Sequence, residues 1–203
     1  MKQELLTMLA MQEEMNARVH PQWRKQGYEW YRAIWIESAE LMDHYGWKWW
    51  KKQSPDRAQV ELELIDIWHF GLSALLQGDQ SEEVIADDII SQFLIENATQ
   101  DFKLELEAFT QVILGTRNFD VLGFARLLRA IDMPFERLFQ GYVGKNVLNF
   151  FRQDHGYKDG SYLKIWNDKE DNEHLVEVLA ELDSSDEQFR ERLYTELKRR
   201  YPN

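Results

Sequence analysis

Val60-Glu61-Leu62-Glu63-Leu64-Ile65-Asp66-Ile67-Trp68-His69-Phe70 is the stretch that decides the fold. It shows no convincing strand alternation, and it reads as a helix with little solvent face to spare. Glu63 and Asp66 interrupt it three residues apart, which sets both carboxylates on one face, about one turn from each other. A second stretch, Ala33-Ile34-Trp35-Ile36-Glu37-Ser38-Ala39-Glu40-Leu41-Met42, repeats the arrangement with Glu37 and Glu40. Apolar residues flank both pairs, so both helices are expected to be largely buried. An ionised carboxylate moved inside costs several kcal/mol after relaxation. Four together also repel, so either their pKa values rise or cations bind. Two such pairs facing each other make a cage for a hard divalent cation.

The rest of the chain follows the same helical pattern. Leu5, Leu6, Met8, Leu9, Met11 and Met15 form an amphipathic first helix that ends before Pro21. The Glu37 helix runs from about Tyr28 to Tyr45 and stops at Gly46. Ser54-Pro55-Asp56 opens the next, with Ser54 as N-cap and Pro55 in the first turn, and it reaches about Gln77 before Gly78. Further helices are expected at about 81–97, 101–114, 118–130 and 134–152, with Gly115 breaking one and Pro134 opening another. From Gln153 to Lys169 the pattern lapses, but Tyr157, Tyr162, Ile165 and Trp166 argue for an ordered loop. Short helices at about 172–182 and 185–200 close the chain. The class is all-α, a multi-helix bundle, and 203 residues suit one domain spanning 1–203, with 176–203 as a helical C-terminal extension.

Composition narrows the partners. Hydrophobic residues make up 44% and charged residues 30%, a globular balance. No Cys is present, which excludes a disulfide framework and a thiolate zinc site. The formal net charge of −12 repels nucleic-acid backbones and anionic membranes, so neither polymer nor membrane is an expected partner. The N-terminal Met1-Lys2-Gln3-Glu4-Leu5-Leu6 carries no signal-peptide pattern, and no run of about 18 apolar residues occurs. The expected compartment is the cytoplasm. Between Lys145 and Lys164, however, Lys145, Arg152, Lys158 and Lys164 outnumber Asp154 and Asp159. A basic island in a chain with an acidic metal cage is what a metal–polyphosphate ligand requires.

All-oxygen ligands favour Mg²⁺, Mn²⁺ or Ca²⁺, and Mg²⁺ usually shares its shell with waters and substrate phosphates. A di-iron bundle needs Glu-x-x-His on two helices, and Asp66-Ile67-Trp68-His69 is a single near match. His69 then lines a site or the core, and His44 sits in a helix-end turn. Other acidic spacings, Glu105 with Glu107 and Glu82 with Glu83, read as ordinary solvated faces. Lys145, Asn149 and Arg152 lie at i, i+4 and i+7 on one helix face, either a phosphate grip or a solvated face. Gln12 and Asn16 are i,i+4 and offer both donors and acceptors, although alone they read as surface amides. The Trp47–Trp50 cluster serves as a stacking platform, a core element or an interface anchor.

At these residues the sequence resembles the dimeric dUTPases, within the MazG-like all-α nucleoside triphosphate pyrophosphohydrolases. The resemblance rests on Glu37-Ser38-Ala39-Glu40-Leu41-Met42-Asp43 followed by Trp47-Lys48-Trp49-Trp50-Lys51, and on Glu63-Leu64-Ile65-Asp66-Ile67-Trp68-His69-Phe70-Gly71. It extends through Lys145-Asn146-Val147-Leu148-Asn149-Phe150-Phe151-Arg152, Gly156-Tyr157, and Gly160, Tyr162, Lys164, Trp166 and Asn167, over roughly residues 8–175. It implies a homodimer that hydrolyses dUTP, and dUDP, to dUMP and so keeps uracil out of DNA. It further implies two or more Mg²⁺, with Mn²⁺ a substitute, on Glu37, Glu40, Glu63 and Asp66. Gln12, Asn16 and an indole, Trp50 before Trp47, would hold uracil, with Asn167 reaching the base from the same or the partner subunit. His69 and Phe70 would wall the deoxyribose. Lys145, Asn149, Arg152, Tyr157 and Lys164 would take the phosphates, in a segment, 145–167, expected to be mobile. A metal-held water is the expected nucleophile, with Glu37 as the first choice of base. A dCTP-preferring relative is the enzymatic alternative. The others are a di-iron carboxylate protein and a catalytically silent helical module.

Overall fold

The structure is a computed structural model that describes residues 1–96, 101–183, 186 and 188–202. The chain is all-α. Among the described residues, nine α-helices are joined by loops, one 3-10 turn (Trp23–Lys25) and one two-stranded hairpin. They fall into two compact units, Met1–Leu138 and Phe139–Asn203.

The first unit holds α1 (Lys2–Val19), α2 (Trp30–Tyr45), α3 (Arg57–Leu76), α4 (Glu82–Phe93), α5 (Phe102–Thr116) and α6 (Val121–Ala130). α3 runs through its middle, against α1, α2 and α4, as its apolar circumference requires. Trp68 marks the centre. It is fully buried, stacked on Phe124 at 5.0 Å, with Phe93 and Phe119 each at 5.8 Å, and its indole N–H points at Met8 Sδ, 3.4 Å away. One turn on, Gly71 lets Phe119 close in: a Cβ there would lie 2.6 Å from Phe119 Cζ. Gly71→Ala is therefore expected to lower the urea midpoint by the equivalent of about 1–3 kcal/mol, the usual cost of overpacking a core.

Several expectations need correction. α2 buries only Ile34, Ser38 and Leu41; Trp35 and Ile36 face outward, 46% and 53% exposed, and Glu40 is exposed too. Its apolar residues are spread around the helix, but one narrow stripe supplies the contacts. Ser54 does not cap α3. Asp56 does, accepting the Gln59 N–H at 3.3 Å, so Ser54 and Pro55 belong to the preceding loop. Gly115 does not break α5, which continues to Thr116 and ends on left-handed Arg117. Glu105 is no solvated carboxylate: it is buried, 3.1 Å from Arg126 Nε. Glu107 is exposed as expected.

The unit boundary falls within α7 (Phe135–Asp154), which Pro134 opens. In the second unit the stretch after α7 is ordered around rings. Phe151, fully buried, meets His155 at 3.9 Å, Trp166 at 5.6 Å, and Tyr194 and Tyr201 at 5.3 Å each. Tyr194 and Tyr201 belong to α9 (Phe189–Arg200) and its C-cap, so the C-terminal helix supplies one wall of this cluster. A hairpin that the sequence pattern missed, β1 (Ile165–Trp166) and β2 (Lys169–Glu170), precedes α8 (Asp171–Glu181). Its two-residue turn, Asn167-Asp168, has both φ angles positive, the twist that suits a tight antiparallel hairpin and that Asn and Asp tolerate.

Candidate active site

α2 and α3 deliver the carboxylates because they pack side by side. Glu37, Glu63 and Asp66 each bring one oxygen within 4.8 Å of the others, and among the described residues this is the group able to hold a metal ion. Glu63 is buried; Glu37 and Asp66 are half-buried. Burial first, then the Asp66 charge and a hydrogen bond with Glu63, push the Glu37 carboxyl up to about 8. Three acids crowded together hold a proton where a cation would do better, and the all-oxygen donor set fits a hard divalent ion. Glu40 lies outside this group on the exposed side of α2, although its charge reaches Glu37.

His44 also faces this cluster, with Nε2 3.5 Å from Glu63 Oε1. It was readable as part of the site, since it lies i+7 from Glu37 on the same helix stripe. Reading it as a mere turn residue missed that.

The connection between α2 and α3 carries the indoles. Gly46 turns the chain at φ 94°, the Gln53 side chain folds back to accept the Lys48 N–H at 2.7 Å, and the Asp56 N–H returns to the His44 carbonyl at 3.0 Å. Trp47 and Trp50 meet edge to face at 5.2 Å and are both exposed, as is Trp49. Trp47 donates its indole N–H to Asp43 at 2.8 Å, which fixes that ring.

Gln12 and Asn16 of α1 are buried, not surface amides. They meet His69 and Ser73 of α3. Gln12 Nε2 donates to Asn16 Oδ1 (3.1 Å) and Ser73 Oγ (2.9 Å), Asn16 Nδ2 donates to Ser73 Oγ (3.1 Å), and His69 Nδ1 lies 2.8 Å from Gln12 Oε1. His69 is thus turned to the amides. Phe70 is half-buried and stacks on Trp30 at 6.3 Å. Ser73 was not singled out in the sequence, although its i,i+4 spacing from His69 mirrors that of Gln12 and Asn16.

In the second unit the basic residues are tied to α8. Arg152 grips Asp171 with two parallel bonds, Nε to Oδ2 at 2.8 Å and Nη2 to Oδ1 at 2.9 Å. Its Nη1 donates to Asn149 Oδ1 at 3.1 Å, and its guanidinium sits 5.9 Å over the exposed Tyr157 ring. Lys145, buried, donates to Asn172 Oδ1 at 3.0 Å. Tyr162 donates its hydroxyl to Asp171 at 2.9 Å. Burial would raise the Asp171 carboxyl, but Arg152, then Tyr162 and Lys145, outweigh it and hold it below the usual carboxylate range. Lys164 is exposed, 3.3 Å from Glu170. Asn167 is exposed in the hairpin turn. Asp171 and Asn172 are parts of this cluster that the sequence did not single out.

The family model described as dUTPase matches residues 4–157. That spans well over half of the chain, and the protein belongs to the all-α dUTPase family. The matched stretch holds all four expected metal ligands, Gln12, Asn16, His69, Lys145, Asn149, Arg152 and Tyr157, while Lys164, Asn167 and Asp171 lie beyond it. No curated protein matches the chain. Membership implies a hydrolase acting on dUTP. No described helix is long and apolar enough to cross a membrane.

Proposed function

We propose that the protein is a Mg²⁺-dependent dUTP diphosphatase that also takes dUDP, releases dUMP and thereby limits uracil in DNA. The observation that carries this reading is the convergence of Glu37, Glu63 and Asp66 from two helices of a dUTPase-family chain. Phosphoanhydride hydrolysis calls for positioning and charge neutralisation more than covalent catalysis, and a bound Mg²⁺ supplies that neutralisation. Glu37, Glu63 and Asp66 hold the cation, with Glu40 one turn along α2 completing the set for a second ion. Mn²⁺ replaces Mg²⁺ on the same oxygens. Glu37, a carboxylate of the cluster kept ionised once the cation is bound, takes the proton of the attacking water.

Gln12 and Asn16 read the uracil edge, Trp50 or Trp47 stacks on its face, and His69 and Phe70 border the sugar. Lys145, Asn149, Arg152, Tyr157 and Lys164 meet the phosphates; Arg152 then shares its fork between the substrate and Asp171. The enzyme works as a homodimer in the cytoplasm, with Asn167 contributing to the base site. A second copy would cover the apolar surface that Trp35 and Ile36 leave open.

The test is a product assay on purified protein with dUTP, dUDP, dCTP, TTP and UTP in Mg²⁺. dUTP and dUDP are expected to give dUMP at kcat/KM values at least ~100-fold above the others. A preference for dCTP would reassign the protein to another branch of base recognition, and no turnover of any of the five would sink the reading.

A further inference from the structure

The buried hydroxyl of Ser73 sits where the base-reading side chains meet. Ser73 is fully buried, and Gln12, Asn16 and His69 are each about 95% buried. Its Oγ lies 3.0 Å from the His69 carbonyl one turn back on α3, 2.9 Å from Gln12 Nε2 and 3.1 Å from Asn16 Nδ2. A hydroxyl has one proton to give and two lone pairs to fill. Two acceptors compete for the proton, the His69 carbonyl at 3.0 Å and Asn16 Oδ1 at 3.3 Å, and the shorter bond goes to the carbonyl. Both lone pairs then face the amides, and only NH₂ groups can satisfy them. The orientation of both amides follows from this one hydroxyl.

The consequence runs further. With its nitrogen on Ser73, Gln12 presents Oε1 to His69 Nδ1 at 2.8 Å. That oxygen requires a donor, so the His69 proton is fixed on Nδ1. Asn16 in turn presents Oδ1 to Gln12 Nε2 at 3.1 Å. A single O–H thus sets two amide flips and one tautomer. Uracil and cytosine differ at the same level: position 4 changes from acceptor to donor, and N3 from donor to acceptor. Flipping an amide makes the matching change in a protein.

We infer that Ser73 is a specificity-determining positioning residue: its hydroxyl locks Gln12, Asn16 and His69 in the pattern that accepts uracil and refuses cytosine. This rests on the proposed reading of Gln12 and Asn16 as the base contacts. Without the hydroxyl, each amide loses a partner that distinguishes its oxygen from its nitrogen, and the flipped orientation becomes less costly.

The experiment compares kcat/KM for dUTP and dCTP in the wild type, Ser73→Ala and Ser73→Cys. Cysteine keeps the bulk but is a weak hydrogen-bonding group, so it carries the test if the alanine variant folds poorly. The dUTP-over-dCTP ratio is expected to fall about tenfold or more in both variants, because a mis-set buried hydrogen bond discriminates by at least that factor. A merely structural role would depress both substrates equally and leave the ratio intact, which overturns the inference. The second readout needs no turnover. In ¹⁵N spectra the side-chain NH₂ signals of Gln12 and Asn16 are expected to be well dispersed in the wild type and averaged in Ser73→Cys, and unchanged spectra overturn the inference independently. A wild type that turns over neither nucleotide defeats the proposed function instead, leaving the amide readout to decide the role of Ser73.

Discussion

Glu63→Gln is expected to cut dUTP turnover by about 1000-fold or more while the helical circular-dichroism signal stays unchanged. The substitution keeps the shape of a buried side chain and removes only its charge. Glu63, on α3, makes two contacts across to α2: it hydrogen-bonds Glu37, and His44 Nε2 lies 3.5 Å from its Oε1. Neutralising it takes away one ligand and replaces an oxygen by an NH₂ group that repels a cation. The exposed Glu40 provides the contrast. It stands outside the three-oxygen cluster, so Glu40→Gln is expected to leave the tightest Mg²⁺ affinity within about threefold while lowering turnover through the second ion. Isothermal titration with Mg²⁺ beside the kinetic assay separates the two variants. Equal loss of affinity in both would mean that all four carboxylates share one site.

Asp171→Ala is expected to have the largest effect on stability, about 3–5 kcal/mol by urea denaturation. Asp171 is fully buried and receives two bonds from Arg152 and one from Tyr162. Removing it strands a guanidinium that is itself largely buried. The same pair predicts a pH dependence. The Asp171 carboxyl is held below its ordinary value of 3.8, so its contribution is complete above that pH. It is lost as pH falls through the lower folded value, because protonation then costs the folded state its ion pair. Wild-type stability should therefore carry an acid-side loss below about pH 4 that Asp171→Asn lacks. An identical acid limb in both proteins would show that Asp171 is not the titrating group.

The helices and the acidic cluster were legible because both obey short-range geometry. The i,i+3 spacing of Glu63 and Asp66 on a helix with no polar face put the carboxylates in the interior before any packing was known. Glu40 shows the limit of that argument. It has the same spacing from Glu37, but α2 packs along one stripe only, and which stripe depends on α3 and α5 rather than on α2 itself. Gln12 and Asn16 looked like surface amides because a polar residue on an amphipathic helix usually is one. Their burial depends on Ser73 and His69, 57 to 61 positions away in the sequence. Asp171 was hidden for a related reason. Glu170-Asp171-Asn172 reads as a polar helix start, and only its pairing with Arg152 nineteen residues earlier makes it interior. Long-range polar partners leave no periodic trace, whereas apolar faces do.

The proposed function stands on Glu37, Glu63 and Asp66 holding a divalent cation together with a deoxyuridine nucleotide. Mn²⁺ titration followed by electron paramagnetic resonance, with and without a non-hydrolysable imido analogue of dUTP, addresses it most directly. The wild type should bind Mn²⁺, the analogue should tighten that binding by about tenfold or more, and Glu63→Gln should abolish both effects. Undiminished Mn²⁺ binding in Glu63→Gln, or an analogue that leaves wild-type affinity unchanged, would contradict the claim.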